Sequence, residues 1–405
     1  MDKISSETTK NLFTEYVMPT YAPQLVFARG EGAYLFDPEG NRYLDFAAGI
    51  AVCNLGHCHP AITEAIRKQA GELLHVSNLF MNTRAPQLAQ KLIESGFDGK
   101  VFFCNSGAEA NEGLIKFARK WGNQTGRNEI IAMEDSFHGR TLATLAATGR
   151  SKYRKGFEPD VTGFKHVKFN DIEALKTAIT PKTCAVLMEP VQGEGGIIPG
   201  KPEYIKAVRQ LCDEKNILLL FDEVQCGIGR VGELYAHQLY GVEPDAFSLA
   251  KALGNGLPIG AFLVAQKYAG ILTVGTHAST FGGNAVSAAA AIAVIDTIKK
   301  DNILEHVKKI GAYLQKRLRE VSSGYSFVQE VRGKGLMIGV VLDSSAAPLQ
   351  KILMKYNLIT LTAGETVLRL VPPLIITEKE CEEALTAIEK GLKEFSELRN
   401  MESKI

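Results

Sequence analysis

Ile217-Leu-Leu-Leu-Phe-Asp222-Glu-Val-Gln225, followed by Asp245-Ala-Phe-Ser-Leu-Ala-Lys251-Ala-Leu-Gly-Asn-Gly-Leu-Pro-Ile-Gly260, decides how the rest of this chain is read. Ile217 to Phe221 is a fully apolar run of strand length, and it stops at a carboxylate. Ala246 to Ala250 is a second short, mostly apolar run, and it stops at a lysine. Buried parallel strands read as continuous apolar runs, and α/β sheets place their ligands just past the carboxyl ends of such strands. The two runs therefore predict an acid, Asp222, and an amine, Lys251, facing one crevice.

An acid and an amine delivered that way suit pyridoxal phosphate. That cofactor needs a lysine to hold its aldehyde as a Schiff base. It also needs a carboxylate to keep its ring nitrogen protonated, so that the ring stays a strong electron sink. Alone, Asp222-Glu223 reads equally well as a helix-start acid pair and Lys251 as a solvated lysine, because short matches have many false positives.

Length and composition narrow the choice. The 405 residues allow two domains and a large core, and 46 basic residues balance 45 acidic ones. That balance gives no basic tract for nucleic acid and no charged patch for a membrane surface. The start, Met1 to Lys10, is polar and lacks the apolar centre of a signal peptide; the apolar run Ala285 to Ile295 is too short to span a bilayer. Cysteines at 53, 58, 104, 184, 212, 226 and 381 are odd in number and scattered, which fits a reducing, cytoplasmic location without a disulfide framework. His57-Cys58-His59 is rich in ligand types, but adjacent residues do not converge easily on one ion and no second pair stands at zinc spacing, so no metal is expected.

Working outward, Ala33 to Asp37 and Arg42 to Phe46 flank the turn-forming Pro38-Glu-Gly-Asn41 and predict a β-hairpin. Helical periodicity covers Ala61 to Leu74 and Pro86 to Glu94. Strands at Val101 to Cys104, Ile130 to Met133, Cys184 to Met188, Ile217 to Phe221 and Ala261 to Ala265 alternate with helices such as Ala108 to Trp121 and Tyr204 to Lys215. Such alternation implies an α/β fold with a mostly parallel sheet covered by helices. After Asn284 two helices, Ala285 to Lys300 and Ile303 to Ser322, lead to strands at Leu336 to Leu342 and Val367 to Val371. A last helix opens at Thr377 with a capping-box Glu380. The expected layout is a large domain over 61–290 and a smaller α+β domain over 291–405, with the segment 1–60 packing against the latter.

Four further segments have chemical potential, though each also reads as an ordinary cap or turn. Asn105-Ser106-Gly107-Ala108-Glu109 follows a strand and opens a helix, so its backbone amides and the Ser106 hydroxyl suit a phosphate. In Ser136-Phe137-His138-Gly139-Arg140 a phenylalanine can stack on a ring and an arginine can fork onto a carboxylate. Glu189-Pro-Val-Gln-Gly-Glu194-Gly-Gly196 ends a strand with two acids and three glycines, and Ser279-Thr280 supplies two hydroxyls ahead of a helix. Gly227-Ile-Gly229-Arg-Val-Gly232 imitates a dinucleotide fingerprint. It does not follow its strand directly, so a nicotinamide oxidoreductase is the weaker alternative.

Taken together these segments resemble the class III aminotransferases, of the fold-type I pyridoxal-phosphate family, over nearly the whole chain from about Tyr21. Gly56-His-Cys-His-Pro60, Asn105 to Asn111, Phe137-His-Gly-Arg140, Glu189 to Gly195, Phe221-Asp-Glu-Val-Gln225 and Ala250-Lys-Ala-Leu-Gly254 occur in family order. The resemblance implies that Lys251 holds the cofactor covalently, that Asp222 pairs with its ring nitrogen, and that Gln225 contacts its ring hydroxyl. It implies a phosphate cradle of Ser106, Gly107 and Ala108, stacking by Phe137, and Thr280 reaching the cofactor phosphate of the other subunit in a homodimer with shared active sites. It implies that Arg140 binds a substrate carboxylate, that Ser279 lies near the substrate, that Arg369 binds the α-carboxylate of glutamate, and that Glu194 masks Arg369 while an ω-amino substrate is bound.

The implied reaction moves the δ-amino group of N2-acetyl-L-ornithine to 2-oxoglutarate, in arginine biosynthesis. His138 and Ile50 stand where relatives that act on free ornithine tend to carry aromatic residues, which favours the acetylated substrate. Tyr21 and the Phe80-Met81 variant leave ornithine, succinylornithine, succinyl-diaminopimelate and 4-aminobutyrate as alternative donors. A non-catalytic pyridoxal-phosphate sensor would need a DNA-binding module, for which neither end has basic character.

Overall fold

The computed structural model describes residues 4–402. Its centre is a seven-stranded sheet. In chain order the strands are β1 (Gly99–Cys104), β2 (Glu129–Met133), β3 (Phe164–Val167), β4 (Thr183–Met188), β5 (Leu218–Asp222), β6 (Ala246–Leu249) and β7 (Gly260–Ala265). In space they run β1-β7-β6-β5-β4-β2-β3. Neighbours from β3 through β6 are parallel, while β7 is antiparallel to both β6 and β1. The sheet is therefore mixed: β7 returns directly beside β6 through the short loop after Lys251. Every residue of β4, β5, β6 and β7 is buried, which is why these segments read as mostly apolar runs.

The N-terminal hairpin forms as expected, with Tyr34–Phe36 antiparallel to Arg42–Asp45. Gly40 takes φ 94° in its turn, and Asp37 Oδ1 accepts from Asn41 N at 2.7 Å. Arg42–Asp45 then pairs in parallel with Leu358–Ile359, so the two ends of the chain share one small sheet. A second small sheet orders Val328–Lys334, Met337–Leu342, Val367–Leu370 and Leu361–Ala363. The helix Glu378–Glu402 opens with the expected reciprocal cap, Thr377 N donating to Glu380 Oε2 at 2.7 Å and Glu380 N to Thr377 Oγ1 at 3.3 Å.

Several elements differ from the sequence expectation. The helix Ala285–Lys300 runs unbroken through position 290, where a domain boundary was drawn, and packs on the helices Pro60–Glu72 and Arg84–Glu94. The helix Ser6–Tyr16, the strand β3 and the helix Ala347–Lys355 were not anticipated. Among the described residues no helix is long and apolar enough to cross a membrane, and all seven cysteines are free.

Candidate active site

Beyond the ends of β5 and β6 lies a cavity of about 420 Å³, within the range of small-molecule sites. Asp222, the last residue of β5, and Lys251, two residues past β6, both line it, together with Ser106, Gly107, Ala108, Phe137, Arg140, Glu189 and Gln225. The two strand-end residues thus meet as expected.

Lys251 has φ 45°, a left-handed conformation that costs a non-glycine residue about 1 kcal/mol or more and persists only where the surroundings impose it. Burial pushes its amine below the ordinary lysine range, and the nearby positive charge of Arg369 adds to this against the opposing pull of Glu194, Asp222 and Glu189. A lowered proton affinity makes the lone pair of the amine easier to free, as a nucleophile or base requires.

Asp222 is buried and accepts from three directions. Asn111 Nδ2 lies 2.7 Å and His138 Nδ1 2.8 Å from its Oδ2, and Val224 N lies 3.0 Å from its Oδ1. Asn111 is fixed in turn, donating to His138 O at 2.8 Å and accepting from Ser248 Oγ at 2.7 Å. These partners orient the carboxylate toward the cavity.

The helix Gly107–Gly122 starts at the cavity wall. Its cap, Ser106 Oγ, accepts from Glu109 N at 3.2 Å, and its first-turn amides have no intrahelical acceptor. The capping box is incomplete, because Glu109 Oε2 takes the backbone and side-chain N–H groups of Asn105 instead of the Ser106 amide. Phe137 sets its ring edge-on to Tyr153 at 5.9 Å, and the Arg140 guanidinium lies 4.1 Å from the Tyr153 centroid.

Arg369 is buried, and its Nη1 donates to Glu194 Oε1 at 2.5 Å and to Gln225 Oε1 at 3.2 Å. The structure therefore contains the anticipated acid–arginine pair and adds a tie to Gln225. Arg369 Nε is buried without a partner, so this arginine retains unused hydrogen-bonding capacity.

Ser279 and Thr280 do not reach the cavity. Ser279 Oγ accepts from Gly282 N at 3.0 Å, and exposed Thr280 lines a shallow groove with Leu73 to Asn78. The glycine-rich Gly227–Gly232 segment is no nucleotide loop. Its Arg230 is completely buried and donates to the carbonyls of Leu336 and Pro372 and to Asn54 Oδ1. Among the described residues no cluster of His, Cys, Asp and Glu is placed to hold a metal.

Sequence reasoning missed Asn111, His138 and Glu189. His138 reads from sequence as a substrate-side difference, yet its Nδ1 bonds Asp222 and its Nε2 is buried without a partner. Glu189 was detectable, since it ends an apolar strand in a carboxylate just as Asp222 does. Its Oε1 accepts from Phe137 N at 3.1 Å and its Oε2 from Gly193 N at 2.9 Å. Burial, then the charge of Asp222, raises its carboxyl to about 7.

A buried amine of lowered proton affinity, a fixed buried carboxylate, free helix-start amides and an aromatic ring around one cavity fit pyridoxal phosphate. Comparison with known proteins agrees. The pattern of the aminotransferase class-III family matches residues 16–392. An acetylornithine aminotransferase of Caldanaerobacter subterraneus subsp. tengcongensis is 50% identical over 387 residues, 94% of this chain and 98% of that protein. A succinylornithine transaminase of Yersinia pseudotuberculosis is 45% identical over 96% of this chain and 97% of its own length. Among solved structures, an ornithine aminotransferase of Toxoplasma gondii superposes with a TM-score of 0.93 at 32% identity, covering 98% of this chain and 96% of that one.

Proposed function

The chain belongs to the class-III aminotransferases, which depend on pyridoxal phosphate, and on that premise we propose that it transfers the δ-amino group of N2-acetyl-L-ornithine to 2-oxoglutarate, giving N-acetylglutamate 5-semialdehyde and glutamate. The Glu194–Arg369 pair beside Lys251 is the observation that carries the reading. One site must take a donor whose reacting carbon bears no carboxylate and then an acceptor whose reacting carbon bears the α-carboxylate. A cation paired in the first case and released in the second serves both. Ile50, exposed two residues from the cavity-lining Val52, offers a free α-ammonium no partner, which favours an acylated donor.

When bound, the cofactor supplies an electron sink for the carbon that loses its proton. The residues do the rest. Lys251 Nζ would hold the cofactor through its aldehyde carbon and, once the donor amine has displaced it, would take the proton from the substrate carbon that bears the amine. Asp222, fixed by Asn111 and His138, holds a proton on the ring nitrogen. Ser106, Gly107 and Ala108 bind the phosphate, Phe137 stacks on the ring, Gln225 meets its hydroxyl, and Arg140 binds the distal carboxylate of the substrate. Ser279 and Thr280, which lie outside the cavity of their own chain, serve the site of a second copy in a cytoplasmic homodimer. The exposed Leu79, Phe80, Met81 and Phe281 are apolar surface for that contact.

The test is the visible spectrum of the cofactor-loaded protein. The yellow band should bleach with N2-acetyl-L-ornithine and return with 2-oxoglutarate. A band indifferent to N2-acetyl-L-ornithine would sink the donor assignment. Bleaching at comparable rates by N2-succinyl-L-ornithine would widen it to the acyl-ornithines, the second reading favoured by the Yersinia relative.

A further inference from the structure

Glu189 takes no part in the chemistry just described, yet it is almost fully buried and both of its oxygens are used. The two amides it receives belong to different loops. Phe137 lies on the loop after β2, and Gly193 precedes Glu194 on the turn after β4. The base of the carboxylate is rigid. It follows the fully buried β4, and the next carbonyl, Pro190 O, accepts from Gly200 N at 2.9 Å and Tyr240 OH at 3.0 Å. Gly193 lies close against the Gln225 side-chain amide, and a Cβ there would fall 2.3 Å from Gln225 Nε2.

We propose that Glu189 is a positioning residue, a single buried carboxylate that holds in one frame the loop presenting Phe137 to the cofactor ring and the turn presenting Glu194 to Arg369. The proposal rests on the roles read above for Phe137 and Glu194. It implies that ring stacking and the choice between donors, which look like separate properties, share one anchor. An ionised carboxylate is suited to this because each oxygen accepts a charge-assisted hydrogen bond. The titratable groups around it are Asp222, His138, Lys251 and the thiol of Cys226. Burial, then the charge of Asp222, raises its proton affinity, so the anchor is open to titration.

Glu189→Gln keeps the shape and one acceptor oxygen but turns an NH2 group toward one of the two N–H donors. In the cofactor-loaded protein it should weaken the visible circular dichroism of the bound pyridoxal phosphate. It should also change the ratio of kcat/KM for glutamate to that for N2-acetyl-L-ornithine by about tenfold, the worth of one charge-assisted hydrogen bond. Phe137→Leu should move only the first quantity and Glu194→Gln only the second. A Glu189→Gln protein that moves one or neither overturns the proposal. The single variants separately report whether the roles of Phe137 and Glu194 were read correctly. Wild-type protein labelled with 15N at phenylalanine and glycine gives a test that needs no variant to fold. The Phe137 and Gly193 amide resonances should move together with pH, with one common midpoint; separate midpoints, or one amide moving alone, refute the shared anchor.

Discussion

Glu194→Ala removes the mask from Arg369 and should reverse the balance between the two half-reactions. In the protein as folded, Arg369 Nη1 lies 2.5 Å from Glu194 Oε1, with the arginine side chain 3% and the glutamate side chain 21% exposed. Without the glutamate, N2-acetyl-L-ornithine must bind beside a buried cation whose remaining acceptor is Gln225. Glutamate brings its own carboxylate and is spared that penalty. Removing one partner of a fully buried pair costs about 3–5 kcal/mol. Because water reaches Glu194, the lower figure for a hydrogen bond to a charged group, about 1.5–2 kcal/mol, is the better guide, which corresponds to roughly 10–30-fold in rate. The assay is single-turnover bleaching of the yellow band with each donor separately, read as the ratio of the two second-order constants. The ratio should move toward glutamate by that factor. A change below about threefold, or a move toward N2-acetyl-L-ornithine, would refute the masking argument, since a transition-state difference of 1.5 kcal/mol cannot hide in so small a ratio.

Asn111→Ala strips a donor from both Asp222 and the His138 carbonyl inside the core, and should lower stability by about 2 kcal/mol in urea unfolding while weakening cofactor retention. His57→Gln probes a different pair. Burial disfavours charge on His57, but Asp45 Oδ2 at 2.8 Å and Cys53 outweigh it and raise its pKa to about 10. A raised folded-state pKa stabilises fully below the unfolded value of about 6.5 and is lost as pH climbs toward 10, so the urea-midpoint deficit of the variant should be largest near pH 6 and shrink by pH 10. An equal deficit at both would exclude the linkage. Lys251→Ala should abolish the yellow band and turnover. Mixed and refolded with a Thr280→Arg protein, it should regain about a quarter of wild-type activity, because half of random dimers are mixed and each of these carries one intact site. No recovery would place Thr280 outside the partner's site.

The parts of this fold legible in sequence are those where burial leaves no choice. β4, β5, β6 and β7 lie inside the sheet with both faces covered, so their residues had to be apolar and their ends had to show as abrupt polar stops at Glu189, Asp222 and Lys251. β3 is an edge strand, Phe-Lys-His-Val, whose Lys165 pairs with Glu129 across the surface, and no apolar run marks it. The partners of Asp222 were hidden for another reason. His138 and Asn111 stand 84 and 111 positions away in the chain, and hydrogen bonding across such gaps leaves no local pattern. The incomplete capping box at Ser106 shows the limit of spacing rules, which put Glu109 in range of the helix start without deciding which amide it takes.

The pairing of Leu44 with Leu358 carries a consequence for how the protein is made. The first hairpin leaves the ribosome with its outer edge, the strand Arg42–Asp45, open, and the strand that closes it is translated about 300 residues later. At about 5–20 residues per second that delay lasts roughly 15–60 s, long against the microseconds a hairpin needs to form. During it, the backbone N–H groups of Leu44 and Phe46, which in the finished protein donate to Asn357 O and Ile359 O, have no strand partner on that edge. The start of this polypeptide therefore cannot settle in order of synthesis. An unpaired strand edge beside an apolar face is a ready template for the wrong partner, so the opening segment is where a crowded or chaperone-poor expression host should first show aggregation.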